Sequence, residues 1–280
     1  YFHPAHNHRG AVEVGLRHVT GPVFFSFPGP DNLTWDQRMD LARGWPQTLR
    51  EIGGPYVPLA LTPHCPLTVK PEHLRQIGEL AIEQGAIITV HTSENIPEND
   101  DTIAAYGERP TQLLDITGIL GLKPVLAHGV HLNEPERLLI AAKGACVAHC
   151  PGSNLKLASG AADLVQYRED GITVGLGSDG SSTSNDLDMF AVMRLAANLA
   201  RLVRSDPAAI TSTQIVRSAT IDGATALGMA DRIGSLEVGK EADVISLALN
   251  QSHLVPVPST HPTLPTLRTH AIASVTLTRP

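Results

Sequence analysis

Five short apolar segments of the chain each end at a polar residue that can bind a metal or move a proton. They are VPLALTPH with His64, IITVHTSE with His91 and Glu94, PVLAHGVH with His128, ACVAHCP with His149, and TVGLGSDG with Asp179. From His64 to Asp179 the successive intervals are 27, 37, 21 and 30 residues. A β/α barrel uses roughly 31 residues per unit and carries its chemistry at the C-terminal ends of its strands. The pattern therefore predicts a barrel enzyme with a ring of polar side chains at one end.

Patterns typical of helices lie between these segments. Residues 71–84 repeat apolar positions at helical spacing, with Pro71 suited to the first position and Gly85 to the residue after the end. Asn133 is expected to cap another helix, which Gly144 closes. Residues 186–204 predict a long amphipathic helix with Phe190, Met193, Leu195 and Leu199 on the core side. Residues 211–227 predict a further helix, because Thr211 and Gln214 have capping-box spacing.

The alternation of strands and helices predicts an α/β fold with parallel strands, specifically a (β/α)8 TIM-type barrel. Residues 23–27 and the five segments give six strands where a closed barrel needs eight, so we expect the first strands to be missing from this chain. Residues 234–247 predict two short strands joined by a Gly-Lys turn. We therefore expect a barrel domain over residues 1–232 and part of a small β-sandwich over residues 233–280.

Composition and charge argue against certain kinds of binding partner. Hydrophobic residues make up 42% of the 280 residues, which is enough for a buried core, and the net charge is -7. The chain has no basic stripe or cluster, which argues against nucleic acid as a partner. Its apolar runs are far shorter than a membrane span. The three cysteines form no CxxC pair, so we expect reduced thiols and a cytoplasmic protein.

The HTSE segment suggests metal-assisted proton transfer. A neutral imidazole at His91 can hold Zn²⁺ while the carboxylate of Glu94, three residues later, takes a proton from an activated water. Taken alone, His-x-x-Glu is a common chance pattern, and a surface ion pair is the alternative. Asp179 is either a second anionic ligand or a turn residue in Ser-Asp-Gly. The positions of these residues at successive strand ends favour a shared site.

A family resemblance rests on longer motifs that occur in order. They are PHCPLT, VHTSEN, YGERPTQLL, LAHGVHL, VAHCPGSNLKLASG, GLGSDGSSTSNDLDMF and GKEADVISL. Together they resemble the amidohydrolase superfamily, in its branch of methylthioadenosine/S-adenosylhomocysteine deaminases and related aminohydrolases. The resemblance implies deamination of an amino-heteroaromatic ring of adenosine-thioether, guanine or pterin type by a metal-activated water. It also implies a small-molecule substrate, one divalent ion per site (zinc, or alternatively iron) and possible homo-oligomers.

The resemblance also implies roles for individual residues. His91 and Asp179 would be metal ligands, Glu94 would carry a proton from the attacking water to the leaving amine, and His128 would hold that water or the oxyanion. Asp179, close to the water, would add a second proton acceptor. His64 would contact the substrate ring or the charge that develops on it. Asn154 would shape the substrate pocket together with Ser153, and Arg109 would meet an anionic substrate tail or form a structural ion pair.

The chain departs from this pattern in one respect. Relatives carry a His-x-His pair at the end of the first strand, and the His-x-His here is His6 and His8, in a stretch that resembles a helix. Side chains two residues apart on a helix diverge, so we expect both histidines to lie on the surface rather than on a metal. With two of the expected ligands absent, we expect these 280 residues to bind metal weakly and to show little activity.

Other interpretations of the sequence lack a required motif or stay as alternatives. GLGSDG matches the GxGxxG of dinucleotide-binding enzymes, but the polar loop SSTSND follows it where a helix is required. A serine hydrolase would need a GxSxG elbow, which the chain lacks. A two-metal hydrolase would need a bridging lysine where His64 stands. Dechlorination of a triazine on the same scaffold and a truncated barrel acting only as a binding domain are the remaining alternatives.

Overall fold

The structure is a computed structural model and describes residues 2–247. In this part of the chain, six parallel strands alternate with helices. The strands are β1 (Val23–Phe24), β2 (Ala60–Pro63), β3 (Ile87–Thr92), β4 (Val125–His128), β5 (Cys146–His149) and β6 (Thr173–Leu176). The helices are α1 (Pro4–Glu13), α2 (Trp35–Ile52), α3 (Pro71–Gln84), α4 (Ile96–Tyr106), α5 (Pro110–Ile116), α6 (Glu134–Lys143), α7 (Pro151–Lys156), α8 (Leu164–Glu169), α9 (Ser181–Ser184), α10 (Met189–Arg204), α11 (Ser212–Ala219) and α12 (Ile221–Ala226).

The sheet follows the order of the chain, β1 to β6, and every pairing is parallel. Because parallel neighbours need a crossover connection, each strand is joined to the next through one or more helices. This is the arrangement of six successive units of a (β/α) barrel, as the sequence predicted. Within residues 2–247, β1 and β6 each pair on one side only.

The two faces of the sheet carry different side chains. Apolar residues of one face are buried against the helices, including Leu61, Ile88, Val90, Leu126, Val147 and Val174. On the other face, His91, Ala127, Ala148 and Gly175 occupy one row of the register. A Cβ on Gly175 would lie 3.2 Å from the Cα of Gly223, so the small residue allows α12 to approach this face. Among the described residues, no helix is both long and apolar enough to cross a bilayer.

The local sequence signals place several helices correctly. The α3 helix runs over the predicted residues, with Pro71 in its first turn and Gly85 in the left-handed conformation after its end. Asn133 and Gly144 bound α6 as expected, and Thr211 starts α11 with a capping box. These signals succeed because each depends on contacts within one turn of the chain.

Two predicted helices differ from the structure. The helix expected over residues 186–204 begins at Met189, because the Asp188 side chain accepts the amide N–H of Phe190 and caps the helix there. Phe190 is 38% exposed rather than on the core side. The helix expected over residues 211–227 is divided at Thr220, whose backbone is not helical. This break turns α12 so that Gly223 meets Gly175.

The two histidines near the start of the chain lie in α1, as the sequence indicated, but only His6 is on the surface. His8 is 2% exposed, which corrects the expectation. Its Nδ1 atom lies 3.2 Å from the carbonyl oxygen of His18, and the two rings stack with centroids 5.7 Å apart. His8 is therefore buried where α1 packs against the segment that carries His18.

Residues 234–247 contain the predicted turn but not the two predicted strands. The amide of Lys240 donates to the carbonyl of Glu237, closing the turn, and the residues after it form no sheet pairing within the described range. The segment is held instead by side chains, because Arg17 donates to Asp243 at 2.8 Å. Residues 248–280, the remainder of the expected β-sandwich, lie outside the described residues.

A buried arginine anchors the loop after β1. Arg38 of α2 is 0% exposed. Its guanidinium donates to Asp31 at 2.8 Å and to the carbonyl oxygens of Val23 and Pro28 at 3.2 and 2.9 Å. A buried charge is tolerated when it is paired and hydrogen-bonded, so this network fixes α2 against the C-terminal end of β1.

Candidate metal and catalytic site

Three polar side chains from three different strands meet at the C-terminal edge of the sheet. One ring nitrogen each of His91 and His128 and one carboxylate oxygen of Asp179 all lie within 4.8 Å of one another. His91 belongs to β3, His128 ends β4, and Asp179 follows β6. Because the strands are parallel, their carboxyl ends share one edge, which brings together residues that are up to 88 positions apart in the sequence.

The backbone turns sharply at this edge. His128 has φ of 70° and Asp179 has φ of 60°, and Ser93 in the loop after β3 has φ of 49°. Left-handed backbone is uncommon for residues other than glycine, asparagine and aspartate, and it is concentrated at functional sites. Here it ends the strand geometry abruptly, so that consecutive side chains no longer alternate between the two faces.

Hydrogen bonds fix the orientation of both imidazoles. His91 Nδ1 lies 2.8 Å from the carbonyl oxygen of His64, and His128 Nδ1 lies 2.9 Å from Oδ1 of Asn154. Both oxygens are acceptors, so each Nδ1 carries the hydrogen, which leaves Nε2 as the nitrogen able to bind a metal. Burial lowers the pKa of His91, and the neighbouring His128 lowers it further. The site therefore favours a neutral His91.

Asp179 supplies negative charge to the same cluster. Its burial alone would raise the carboxyl pKa, but the nearby polar groups of Ser153, Thr183 and the Gly180 amide outweigh that effect and lower the pKa. Asp179 is therefore ionised at neutral pH.

Glu94 lies beside the cluster. Its Oε2 atom is 3.8 Å from His128 Nε2, and the hydroxyl of Ser159 donates to its Oε1 atom at 3.5 Å. The Glu94 side chain is 22% exposed, so it is open to a ligand while still in contact with His128. A carboxylate in this position can exchange a proton with a reactant bound at the cluster.

His64 and Asn154 also border the site. The His64 ring lies between those of Phe25 and His91, with centroid separations of 4.8 and 5.1 Å. Burial, with a contribution from His91, lowers the pKa of His64 to about 4, so its ring is neutral at neutral pH. Asn154 is 0% exposed and holds His128 by the hydrogen bond given above.

Arg109 is bound within the protein. Its Nε donates to the fully buried carboxylate of Glu136 at 2.9 Å, and its terminal nitrogen donates to the carbonyl of His131 at 2.7 Å. These are the contacts of the structural ion pair that the sequence offered as an alternative. A contact with an anionic substrate tail stays a prediction.

Several residues around the site were not assigned by sequence reasoning. His128 was assigned to catalysis alone, yet the structure places it in the same donor cluster as His91 and Asp179. Ser159, in the loop after α7, and Glu98, in the first turn of α4, contact Glu94. His149 is fully buried, its pKa is lowered to about 4 by burial and then by His128, and both of its ring nitrogens lack a hydrogen-bond partner among the described residues.

The donor set matches a divalent cation. Catalytic zinc sites use about three protein ligands, commonly histidines with one carboxylate, and leave a further position open. Two oriented imidazoles and one ionised carboxylate meet that requirement. The hydrogen bonds at both Nδ1 atoms are the kind of outer contact that metal-binding histidines usually make.

Comparison with known proteins agrees with this geometry. Residues 7–275 match the amidohydrolase family. A 5-methylthioadenosine/S-adenosylhomocysteine deaminase from Moorella thermoacetica is 37% identical over 91% of this chain, and one from Pyrococcus furiosus is 35% identical over 92%. The chain spans only 59% and 61% of those two proteins.

Solved structures give the same assignment. An adenosine deaminase from Xanthomonas campestris with bound zinc superposes with a TM-score of 0.84 at 35% identity, over 92% of this chain and 58% of that one. A guanine deaminase from E. coli superposes with a TM-score of 0.77 at 25% identity, over 87% of this chain and 56% of that one. The chain belongs to the amidohydrolase family, whose members are metal-dependent.

Proposed function

We propose that the protein is a metal-dependent aminohydrolase that removes ammonia from an amino-heteroaromatic ring. The observation that carries the proposal is the convergence of His91, His128 and Asp179 within 4.8 Å, with Glu94 beside them. Relatives named as deaminases of 5-methylthioadenosine and S-adenosylhomocysteine favour an adenosine thioether as substrate, ahead of guanine or a pterin.

His91 and Asp179 would hold the cation, with His128 able to complete the donor set. Zinc is the proposed metal because the similar Xanthomonas campestris structure contains it, and iron is the alternative. When bound, such a cation lowers the pKa of a water molecule to about 7, which provides hydroxide at neutral pH.

The side chains around the cluster would carry the proton transfers. Glu94 Oε2 would take a proton from the attacking water and deliver it to the departing nitrogen, since ammonia leaves only after protonation. His128 would face the oxygen on which negative charge develops. His64 is neutral, so it would act on the substrate ring through hydrogen bonding rather than through charge.

This arrangement favours deamination over the alternatives. Chloride leaves a triazine without being protonated, and the position of Glu94 suits a leaving group that needs a proton. A purely binding role would not require an ionised carboxylate and two oriented imidazoles at one point.

The three buried free thiols fit a reducing compartment, so we propose a cytoplasmic location. Light scattering of the purified protein would test the further proposal of a homo-oligomer.

Ammonia release tests the proposed function. The purified protein would be assayed with 5-methylthioadenosine, S-adenosylhomocysteine, adenosine and guanine, with added zinc and with a chelator. We expect slow turnover of the adenosine compounds that requires zinc, slow because His6 and His8, the pair with His-x-His spacing, lie in α1 and take no part in the donor cluster. The variant Glu94→Gln should lower kcat by about 100-fold or more, the usual contribution of a general acid–base group.

The exposed Glu79 of α3 provides the matched control. Glu79→Gln makes the same chemical change away from the site and should leave kcat unchanged. Turnover that persists in Glu94→Gln would remove the proton-transfer role, and no zinc-dependent ammonia release from any of the four compounds would refute the function.

A further inference from the structure

The start of α4, directly after Glu94, differs from the other helix starts that have the same sequence spacing. In the capping boxes of α2, α6 and α11, the third helical side chain accepts the N–H of the capping residue: Gln37 from Thr34, Glu136 from Asn133 and Gln214 from Thr211. In α4, Asn95 caps the amide of Glu98 at 2.9 Å in the usual way. The Glu98 carboxylate, however, reaches one residue further back and accepts the N–H of Glu94 at 2.7 Å.

The same carboxylate stabilises an unusual backbone conformation. Ser93, which precedes Glu94, has φ of 49° and is 0% exposed. The backbone amide of Ser93 is also close enough to Glu98 to favour its ionised form and lower its pKa, against the effect of burial. A left-handed serine persists only where its surroundings hold it. Glu98 therefore holds the loop that carries Glu94 through a hydrogen bond to the Glu94 amide, next to the left-handed Ser93.

Glu98 differs from Glu136, the buried carboxylate in the same position of α6, which is paired with Arg109. Glu98 is only 8% exposed. Burial raises the pKa of its carboxyl, and the charge of the nearby Glu94 carboxylate also acts to raise it. Its Oε1 atom has no hydrogen-bond partner among the described residues. Glutamine fills the equivalent position of α2 and α11 without a charge. A buried carboxylate beside a second carboxylate indicates a role beyond starting the helix.

We propose that Glu98 is a positioning residue that fixes the Ser93–Glu94 backbone and so holds the Glu94 carboxylate against His128. The inference rests on the proposed function, because it assigns to Glu98 the placement of the proton-transferring group. Glu94 has few other restraints: its Oε1 atom receives a 3.5 Å hydrogen bond from Ser159, and its Oε2 atom lies 3.8 Å from His128. Loss of the hydrogen bond from the Glu94 amide to Glu98 would let the loop relax and move Glu94 out of reach.

The test compares Glu98→Ala, Glu98→Gln and the control Gln37→Ala in the full chain. Gln37→Ala removes the corresponding side chain from the exposed capping box of α2. Glu98→Ala should lower kcat for ammonia release by about 10- to 100-fold with little change in KM, since a displacement of 1 Å can cost that much. Glu98→Gln keeps an acceptor oxygen and should recover most of the loss, while Gln37→Ala should keep the wild-type kcat.

Hydrogen exchange gives a readout that does not depend on activity. In Glu98→Ala the Glu94 amide should exchange about 10-fold faster or more, because its hydrogen-bond acceptor is gone, and in Gln37→Ala it should not change. Unchanged exchange in Glu98→Ala, or a kcat loss that Gln37→Ala matches, would overturn the positioning role. A wild-type protein without deaminase activity would instead refute the proposed function, and the exchange measurement would still decide whether Glu98 holds the loop.

Discussion

At the scale of single residues, the site depends on hydrogen bonds that set the tautomer and the orientation of each imidazole. His91 and His128 both donate from Nδ1, to a carbonyl and to Asn154 respectively. Without those acceptors each ring would be free to rotate or to change tautomer. The outer partners are therefore as necessary to the cluster as the donors themselves.

Asn154→Ala tests this dependence. The variant removes the oxygen that accepts from His128, and we expect kcat to fall by about 10- to 100-fold, the range found when such outer partners are lost. Asn154→Asp keeps an acceptor oxygen in the same place and should lose much less activity. Steady-state kinetics of ammonia release measure both variants. Equal kcat values for the two variants would contradict the orienting role, and thermal melts would show whether the buried substitution unfolds the protein.

At the scale of the helix and strand, features that depend on local signals were predictable from the sequence, and features that depend on long-range contacts were not. The ends of α3 were predictable, because Pro71 and Gly85 act within one turn. The break at Thr220 was not, because it serves the contact between Gly223 and Gly175, which are 48 residues apart. The burial of His8 likewise depends on His18, beyond the end of α1.

The strand-end residues were predictable as a group for a different reason. Parallel strands must place their carboxyl ends at one edge, so a sequence that repeats apolar runs ending in histidine or aspartate already implies a cluster. The contacts of Glu98 and Ser159 with Glu94 follow from the course of the loops, and loop geometry has no comparable sequence signal beyond the Asn95–Glu98 capping spacing.

The anchoring of α2 by Arg38 leads to a prediction about stability and pH. Burial would raise the pKa of Asp31, but the hydrogen bonds and charge of Arg38 outweigh it, and the pKa lies below its ordinary value of 3.8. A carboxyl with a lowered pKa stabilises the fold above its unfolded-state pKa, and that contribution is lost as the pH falls through the folded-state value. Asp31→Asn leaves a buried guanidinium unpaired, so at pH 7 it should lower the free energy of unfolding by about 3 kcal/mol.

The measurement is chemical denaturation at several pH values between 7 and 3. The difference in unfolding free energy between wild type and Asp31→Asn should be constant above pH 4 and shrink below it. Asp40→Asn in α2 is the control, because Asp40 pairs with Arg43 on the surface, where both side chains are more than half exposed. Exposed pairs contribute about 0–1 kcal/mol, so an Asp31→Asn effect no larger than that of Asp40→Asn would contradict the anchoring role.

At the scale of the whole molecule, the three donors connect strands that are distant in the sequence. His91, His128 and Asp179 belong to the ends of β3, β4 and β6, so one bound cation would join three units of the sheet. A ligand that binds only the folded state stabilises it, by about 2.7 kcal/mol at a concentration 100 times the dissociation constant. Metal binding should therefore be visible in the global stability of the protein.

Thermal melts with and without zinc test this connection. Zinc should raise the Tm of the wild-type protein, a chelator should reverse the rise, and His91→Ala should abolish it. His6→Ala is the control, because His6 is exposed on α1 and takes no part in the cluster, and its zinc response should equal that of the wild type. A zinc response that survives in His91→Ala but disappears in His6→Ala would show that the cation binds at α1.

The donor residues lie at strand ends and other residues near the site lie in loops, and this separation has an evolutionary consequence. The donors occupy fixed backbone at the strand ends, whereas Phe25 and the segment that Arg38 anchors lie in the loop after β1. Mutations that lengthen or exchange such loops can change which molecule is admitted without disturbing the donors. Chimaeras that swap single loops between related deaminases should therefore inherit the substrate range of the loop's parent and the metal preference of the recipient.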